Sequence, residues 1–293
     1  PFGNIATGNS SVIADRVGSR CGDFLLTEAG FGADMGAERF FNIKCRTSGL
    51  RPDAAVLVVT VRALKTHSGR YKVVAGKPLP PDMLADNPED VLAGADNLRK
   101  HIEIVRTFGV SPIVALNVFP DDHDDEIEAV RRVAEQEGAH FAASTHVVDG
   151  GNGAMELARA VVDACDQSTD FRYTYDLADS LETKIEKIAT EVYGADGIDI
   201  SPQAAKDLAH FEELGYGRLP VVMAKTHLSL SHDPQLKGRP TGWRLPVREV
   251  RAAVGAGYVY AICGNMRTMP GLGAHPAAER IDIDDNGQVV GLF

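Results

Sequence analysis

The segment from Val56 to Val61 is an uninterrupted run of apolar and β-branched residues, Val-Leu-Val-Val-Thr-Val. Such a run is typical of a parallel strand that is buried on both faces, and parallel sheets occur mainly in α/β proteins. Open α/β sheets bind their ligands at the carboxyl ends of the strands. We therefore expect Arg62, Lys65 and His67 to lie at a ligand-binding edge. The alternative is that these cations are solvated or paired with acidic neighbours.

The residues after this strand alternate between strand and helix patterns. Asp124 to Glu137 predicts an amphipathic helix between two strands, Pro112 to Phe119 and His140 to Val148. A glycine-rich turn at 150–153 and a helix from Met155 to Ala164 follow. This order predicts a βαβα unit with a right-handed parallel crossover.

Further elements are predicted towards the end of the chain. One helix is predicted from residues that recur at helical spacing, namely Leu177, Leu181, Ile185, Ile188 and Val192. Another is bracketed by Ser201 as N-cap, Pro202 at its first position and Gly215 beyond its end. Leu219 to Ala224 predicts a short buried strand, and a long polar loop from Lys225 to Gly242 follows it.

The segment from Thr27 to Arg46 combines glycines with carboxylates. The glycines are Gly30, Gly32 and Gly36, and the carboxylates are Glu28, Asp34 and Glu38. Glycines permit tight turns and close backbone approach, so the segment suits a ligand-facing loop. The alternative is a capped turn that leads into a helix, with Phe40 and Phe41 in the core.

Composition excludes several classes of protein. The net charge of −11 at pH 7 disfavours nucleic acid and anionic membranes as partners, because both repel an acidic surface. No run of about 18 apolar residues occurs, so no membrane-spanning helix is expected. The four cysteines show no paired spacing, which favours neither a zinc site nor a disulfide framework and indicates a cytoplasmic protein.

An acidic cluster surrounds His123 and could suggest a metal site. Its members are Asp121, Asp122, Asp124 and Asp125. The favoured interpretation is a solvated helix start, where carboxylates complement the positive end of the helix dipole. We therefore expect no metal site.

Two segments carry most of the functional information. They are 27–46, which begins with the motif Thr-Glu-Ala-Gly-Phe-Gly-Ala-Asp at 27–34, and Val-Arg-Ala-Leu-Lys-Thr-His-Ser-Gly at 61–69. Together with segments 4–15, 117–126, 150–158 and 219–257 and the ending, which includes Asn-Met-Arg-Thr-Met-Pro-Gly-Leu at 265–272 and runs to Gly291-Leu292-Phe293, in the same order, they resemble the formate–tetrahydrofolate ligase family. The resemblance covers nearly the whole chain.

The resemblance implies an α/β fold with a P-loop NTPase-like parallel sheet and smaller α/β domains. The implied divisions are 1–109, the remainder of the nucleotide-binding domain; 110–198, a βα domain on the folate side; and 199–293, a C-terminal domain. The family's ATP site includes a P-loop, but no Gly-x-x-x-x-Gly-Lys-Ser/Thr occurs in this sequence. The chain, which starts at Pro1, therefore resembles the C-terminal half of a longer polypeptide.

The implied activity is a two-step ligation. ATP with Mg²⁺ phosphorylates formate to formyl phosphate, and the amine of tetrahydrofolate then attacks the formyl carbon to give 10-formyltetrahydrofolate. The implied partners are these substrates, the missing N-terminal half and further copies in a homo-oligomer, with no tightly bound cofactor. The alternative is a catalytically silent folate- or nucleotide-binding or scaffold module. An unrelated P-loop-type ATPase would not explain the motif at 27–34.

The resemblance also assigns roles to individual residues. Arg62, Lys65 and His67 match catalytic cations of the family. Phe119 matches an aromatic residue that stacks on the folate ring, although a Phe at a strand end is usually a core residue. Val147 stands where the family has a second stacking residue, a Trp, and this loses about 0.5–1.5 kcal/mol of aromatic contact, for which neighbouring His146 could compensate. The other substrate-side residues are Glu28, Phe31, Asp34, Phe40, Gly150 and Gly151, and the nucleotide-side residues are Lys225, Thr226, Thr241 and Gly242.

Overall fold

Two β-sheets organise the protein, whose computed structural model describes residues 5–74, 77–266, 275–285 and 289–291. The strands are β1 (Ala54–Val59), β2 (Ser111–Asn117), β3 (His140–Ser144), β4 (Ile198–Ile200), β5 (Val221–Ala224), β6 (Leu245–Ala253), β7 (Tyr258–Cys263), β8 (Asp282–Ile283) and β9 (Val289–Val290). The first sheet has the order β1-β2-β3, the second has the order β4-β6-β7-β5, and β8 pairs with β9.

Helices surround these sheets. They are α1 (Val12–Gly18), α2 (Arg46–Ser48), α3 (Val61–His67), α4 (Pro88–Thr107), α5 (Asp124–Gln136), α6 (His146–Asp149), α7 (Met155–Cys165), α8 (Leu181–Lys187) and α9 (Pro202–Glu213). Three π-helical segments occur at Ala33–Ala37, Phe40–Cys45 and Ile188–Val192. In the described ranges, no helix is long and apolar enough to cross a membrane.

The first sheet is parallel throughout, as the apolar runs predict. Leu57 of β1 pairs with Val114 of β2, which in turn pairs with Phe141 of β3. Side chains of these residues form a core with α4 and α5 on one face of the sheet. Since α7 also contacts all three strands and contributes nothing to that core, it covers the other face. The α/β class is therefore confirmed.

The strand predicted at 56–61 lies two residues earlier, at Ala54–Val59, and this changes the position of the motif that follows. Thr60 ends the strand and caps α3, because its Oγ1 accepts a hydrogen bond of 3.1 Å from the N–H of Ala63. Val61 is therefore helical. Arg62, Lys65 and His67 lie along a helix after the strand rather than together at the strand end.

Of the other predicted boundaries, those of the helix after Ser201 agree with the structure and two further ones differ. The Ser201 cap is confirmed, since Ser201 Oγ accepts a 3.0 Å hydrogen bond from Ala204, and Gly215 has the expected left-handed backbone with φ of +81°. The strand predicted at 140–148 ends at Ser144, because Thr145 begins a tight loop that includes α6. The helix predicted from Leu177 begins later, after the Ser180 cap.

The second sheet mixes strand directions. β4 and β6 are parallel, β5 and β7 are parallel, and β6 and β7 are antiparallel. Its core extends from Phe41 through Val110 and Ile185 to Val259, so it crosses both predicted domain boundaries, at 109/110 and 198/199. The division into three domains stays a prediction.

Helix α3 is held in place by a close helix crossing and a buried ion pair. Gly94 of α4 lies so close to α3 that a Cβ atom there would be 1.8 Å from the carbonyl oxygen of Leu64. The Lys65 side chain, 1% exposed, pairs with Glu126 of α5 and donates to the carbonyls of Met83 at 2.9 Å and Ala85 at 2.7 Å. Every donor of the Lys65 ammonium thus has a partner inside the fold. In the folded chain the ammonium is thus paired with an acidic neighbour, and a catalytic role for Lys65 stays a prediction.

Gly94→Ala tests the close crossing of α3 and α4. Helix propensity alone would make this change stabilising by about 1 kcal/mol. The clash with Leu64 reverses the sign, and we expect destabilisation by about 1–3 kcal/mol in urea unfolding. Gly255→Ala is the control, because no atom lies within 4 Å of its Cβ position. Stabilisation by Gly94→Ala would contradict the crossing.

Lys65→Met tests the buried ion pair. It leaves the carboxylate of Glu126 buried without its cation, so we expect a loss of about 3–5 kcal/mol in the free energy of unfolding. Lys65→Met combined with Glu126→Gln removes the orphaned charge and should recover part of this loss. Lys206→Met, at an exposed helix position, should change stability by less than about 0.5 kcal/mol. A Lys65→Met protein as stable as wild type would show that the pair contributes nothing.

Candidate functional site

The carboxyl ends of the three parallel strands bring together residues from three separate motifs. Arg62 follows β1, Phe119 follows β2, and His146 and Val147 follow β3. The N–H of Val118 donates a 3.0 Å hydrogen bond to the carbonyl of Ser144, so the chains after β2 and β3 stay side by side beyond the strands. We call this group of residues the carboxyl-edge group.

Arg62 and Phe119 contact each other within this group. The guanidinium carbon of Arg62 lies 4.1 Å from the ring centroid of Phe119, which is a cation–π contact. One terminal nitrogen of Arg62 donates to Asp121 at 3.1 Å. Its Nε is buried and has no hydrogen-bond partner. The Arg62 Nε is therefore a buried donor without a hydrogen bond among the described residues, on a side chain that is partly exposed.

Phe119 is partly buried rather than enclosed in the core, and the Arg62 guanidinium lies against its ring. Its backbone N–H donates a 2.9 Å hydrogen bond to Asp122. Burial raises the pKa of Asp122 above the usual value, against the opposing effects of this hydrogen bond and of the Arg62 charge. The carboxylate thus fixes the turn that carries the Phe119 ring.

The loop after β3 presents apolar side chains to solvent. Val147 is 74% exposed. The loop closes on itself, because the N–H of Thr145 donates to the carbonyl of Gly153 at 3.0 Å, and a Cβ at Gly153 would lie 2.6 Å from Thr145. His146 Nδ1 lies 2.9 Å from the Ser144 hydroxyl. The predicted residues Gly150 and Gly151 are exposed within the same loop.

A second group of predicted residues lies around the glycine-rich segment and the loop 225–242. Phe31 has φ of +64° and is the one non-glycine residue in the described chain with a left-handed backbone. Its ring, 48% exposed, stacks on His227 with centroids 5.2 Å apart. Gly36 packs so closely that a Cβ there would be 1.8 Å from the carbonyl oxygen of Gly30. Close packing against the main chain of Gly30 therefore requires glycine at position 36.

Asp34 and Lys225 form a buried ion pair that joins these two segments. Their charged atoms are 2.6 Å apart, and Lys225 also donates to the carbonyls of Thr226 at 3.0 Å and Ser229 at 2.6 Å. Burial alone would raise the pKa of Asp34, but Lys225 and then His101 outweigh it, so the pKa lies below the usual value. Like Lys65, Lys225 has no free donor for a ligand.

Two histidines complete this second group. His67, in the last turn of α3, accepts a 3.2 Å hydrogen bond from the N–H of Gly238 through its Nδ1. Burial, followed by the nearby charges of Lys237 and His101, lowers the pKa of His67 to about 4. His101 is partly buried beside Asp34, its pKa is lowered mainly by desolvation, and its Nδ1 has no hydrogen-bond partner among the described residues. Because its pKa is about 4, His67 is neutral near pH 7.

The sequence indicated neither that His101 lies near these residues nor that Lys225 is buried in an ion pair with Asp34. His101 lies in the middle of α4 without a motif, and only the fold brings it next to Gly32, whose Cβ position is 2.8 Å from its ring. Helix α3 separates the two groups, with Arg62 in its first turn and His67 in its last. The cations predicted as one catalytic set thus belong to different surroundings.

Four further predicted residues lie in the same two segments, 27–46 and 225–242. Glu28 is exposed, and Phe40 is half-buried against Phe41 with ring centroids 5.8 Å apart. Thr241 and Gly242 are exposed, and Gly242 has φ of +71° in the turn before Trp243. The motif at 265–272 lies largely outside the described residues.

Comparisons with known proteins agree with one another. The family model for formate–tetrahydrofolate ligase matches residues 1–293. The chain is 82% identical over 293 residues to a formate–tetrahydrofolate ligase of Cutibacterium acnes, 70% identical over 292 residues to that of Saccharopolyspora erythraea, and 55% identical over 293 residues to that of Roseiflexus castenholzii.

All of the chain is matched in each case, and the match covers 52% of each relative. The chain therefore spans about half the length of the curated relatives it matches. On the family match and these identities, the chain belongs to the formate–tetrahydrofolate ligase family.

Proposed function

We propose that this chain supplies half of an enzyme that ligates formate to tetrahydrofolate with ATP, through formyl phosphate, to give 10-formyltetrahydrofolate. The observation that carries the proposal is the family match along the whole chain. ATP with Mg²⁺, formate and tetrahydrofolate are the substrates. The fold would then be the P-loop NTPase-like sheet of the family, with the P-loop on the other half, and the whole protein a homo-oligomer.

The carboxyl-edge group supports a role in holding the reacting anion and the folate. Arg62 already contacts an aromatic ring and a carboxylate, and its Nε lacks a partner. A planar guanidinium is suited to phosphate and carboxylate groups. We assign to Arg62 the stabilisation of the charge that develops as the formyl group is transferred, because preorganised donors give the largest rate effect at such a charge. Lys65 acts as a positioning residue for α3.

The folate would lie beside Phe119 and the loop of Val147, Gly150 and Gly151. A flat pterin ring binds well against an aromatic side chain. The exposed Val147 leaves space where the family has a Trp, so folate contact on that side is apolar rather than aromatic. Phe119 is then the one aromatic residue of this pair of positions, and its ring carries the positive charge of Arg62 beside it.

The second group would contribute to the nucleotide side. Phe31 exposes part of its ring, and Thr226, Thr241 and Gly242 belong to the loop that Lys225 and Asp34 hold against the glycine-rich segment. Because His67 is neutral near pH 7, it acts here as a hydrogen-bond acceptor for Gly238 rather than as a cation. Glu28 and Phe40 stay substrate-side candidates on the resemblance alone.

A catalytically silent folate- or nucleotide-binding or scaffold module is the second candidate. The observation that favours it is that two of the predicted cations, Lys65 and Lys225, are buried with all donors occupied. Activity of the chain when joined to the remaining half of the family polypeptide separates the two candidates.

The isolated chain should not make 10-formyltetrahydrofolate from formate, tetrahydrofolate and ATP. Its sequence lacks the P-loop that holds the transferred phosphate, and phosphoryl transfer depends on such donors. We expect turnover once the segment of the Cutibacterium acnes ligase that this chain does not match is joined to it. The full-length Cutibacterium acnes ligase is the positive control. Turnover by the isolated chain that Arg62→Ala abolishes would contradict the expectation.

Val147→Trp should lower the KM for tetrahydrofolate in the joined polypeptide by about two- to tenfold, because an added aromatic contact is worth about 0.5–1.5 kcal/mol. Phe119→Ala should raise this KM. Val148→Trp is the matched control, because Val148 is 72% exposed on the same turn and is not assigned to the folate. The assignment fails if Phe119→Ala lowers stability and leaves KM unchanged.

A further inference from the structure

Strand β1 lies at one end of its sheet, and no strand among the described residues pairs with its outer side. Val56 is 39% exposed and Val58 is 71% exposed, whereas their partners on β2, Ile113 and Ala115, are at most 3% exposed. The four side chains point to the same face, because paired residues of parallel strands share a face. We call Val56, Val58 and the unpaired edge of β1 the open β1 surface.

The composition of β1 is that of an interior strand. It contains only Ala, Val and Leu, and it has neither a charged residue nor a proline. Edge strands exposed to water usually carry such residues, which prevent pairing with other chains. Parallel strands with continuous apolar runs are normally covered on both faces. The open β1 surface therefore calls for a further strand beside β1 and a helix over its face.

The order of the helices shows where such a unit belongs. The connections from β1 to β2 and from β2 to β3 place α4 and α5 on one face. After β3, α7 crosses to the other face and contacts β2 and β1. In doubly wound sheets, helices on this second face connect to strands that are added on the far side of the first strand. The topological switch point lies between the first strand and these added strands. Here the chain after α7 leads to β4, which belongs to another sheet.

We propose that the open β1 surface is the docking site for a strand and helix from the other half of the family polypeptide, with the added strand parallel to β1. The greater length of the relatives identifies this occupant: the chain spans 52% of the Cutibacterium acnes ligase, and no strand in the described part of this chain pairs with the outer edge of β1. The proposal rests on the proposed function, since it takes the partner from the same family.

This docking would also place the partner next to the carboxyl-edge group. The switch point of a doubly wound sheet is where ligands bind, outside the carboxyl ends of the two central strands. One of these strands would be β1, which leads through Thr60 to Arg62. The other would be the added strand. The site is thus incomplete on the β1 side without the partner.

Hydrogen–deuterium exchange tests the docking directly. The probe is a single polypeptide that joins this chain to the unmatched segment of the Cutibacterium acnes ligase, in the order of that ligase. Without substrates, amides of residues 54–59 should exchange at least about tenfold more slowly than in the isolated chain, because pairing protects backbone N–H groups. Amides of residues 258–263 are the internal control and should not change.

A charge on the open β1 surface gives the second measurement. Val58→Asp should leave the unfolding midpoint of the isolated chain nearly unchanged, since the side chain is exposed there, and should lower it in the joined polypeptide. Val254→Asp is the matched control at another exposed valine, in the turn between β6 and β7, and should be neutral in both. Equal effects of Val58→Asp in both polypeptides would overturn the proposal.

Two outcomes separate this proposal from the proposed function. A joined polypeptide that makes 10-formyltetrahydrofolate while residues 54–59 exchange as in the isolated chain overturns the docking site alone. Protection of these residues without turnover supports the docking site and contradicts the proposed function. Protection that appears in the isolated chain as its concentration rises would identify a second copy as the occupant, and would also overturn the proposal.

Discussion

The position of the carboxyl-edge group depends on the buried ammonium of Lys65. The ammonium connects α3 to the carboxylate of Glu126 on α5 and to carbonyls between α3 and α4. Glu126 in turn accepts a 2.9 Å hydrogen bond from the N–H of Asn87, just before α4. Because Arg62 lies three residues before Lys65 on the same helix face, fixing Lys65 also fixes where the Arg62 guanidinium reaches.

Buried lysines act as cross-links at several places in this fold. Lys184 donates to the carbonyls of Gly217 and Leu219, as Lys65 and Lys225 do to carbonyls of other irregular segments. Carbonyls in such segments lack helix or strand partners, and leaving them buried without a hydrogen bond would be costly. A lysine in a functional motif can therefore be there to complete the main chain around the site rather than to meet a ligand.

Several regular elements could be predicted from the sequence because their signals are local. The Ser201 cap of α9 and the apolar run before Thr60 are examples. The start of α3 was misplaced because Val61 continues a β-branched pattern, and only the cap at Thr60 and the distant partner Glu126 decide the helix. The neighbourhood of His101 and Asp34 could not be predicted either, since α4 and the glycine-rich segment meet only in the folded chain.

The left-handed backbone of Phe31 has an energetic consequence for its role. A side chain in this conformation costs about 1–2 kcal/mol, and glycine would adopt it freely. The ring recovers little of that cost by burial, because nearly half of it is exposed and it rests on an exposed histidine. Phe at position 31 therefore costs the folded chain more than Gly would, and the stacking on His227 offsets little of that cost.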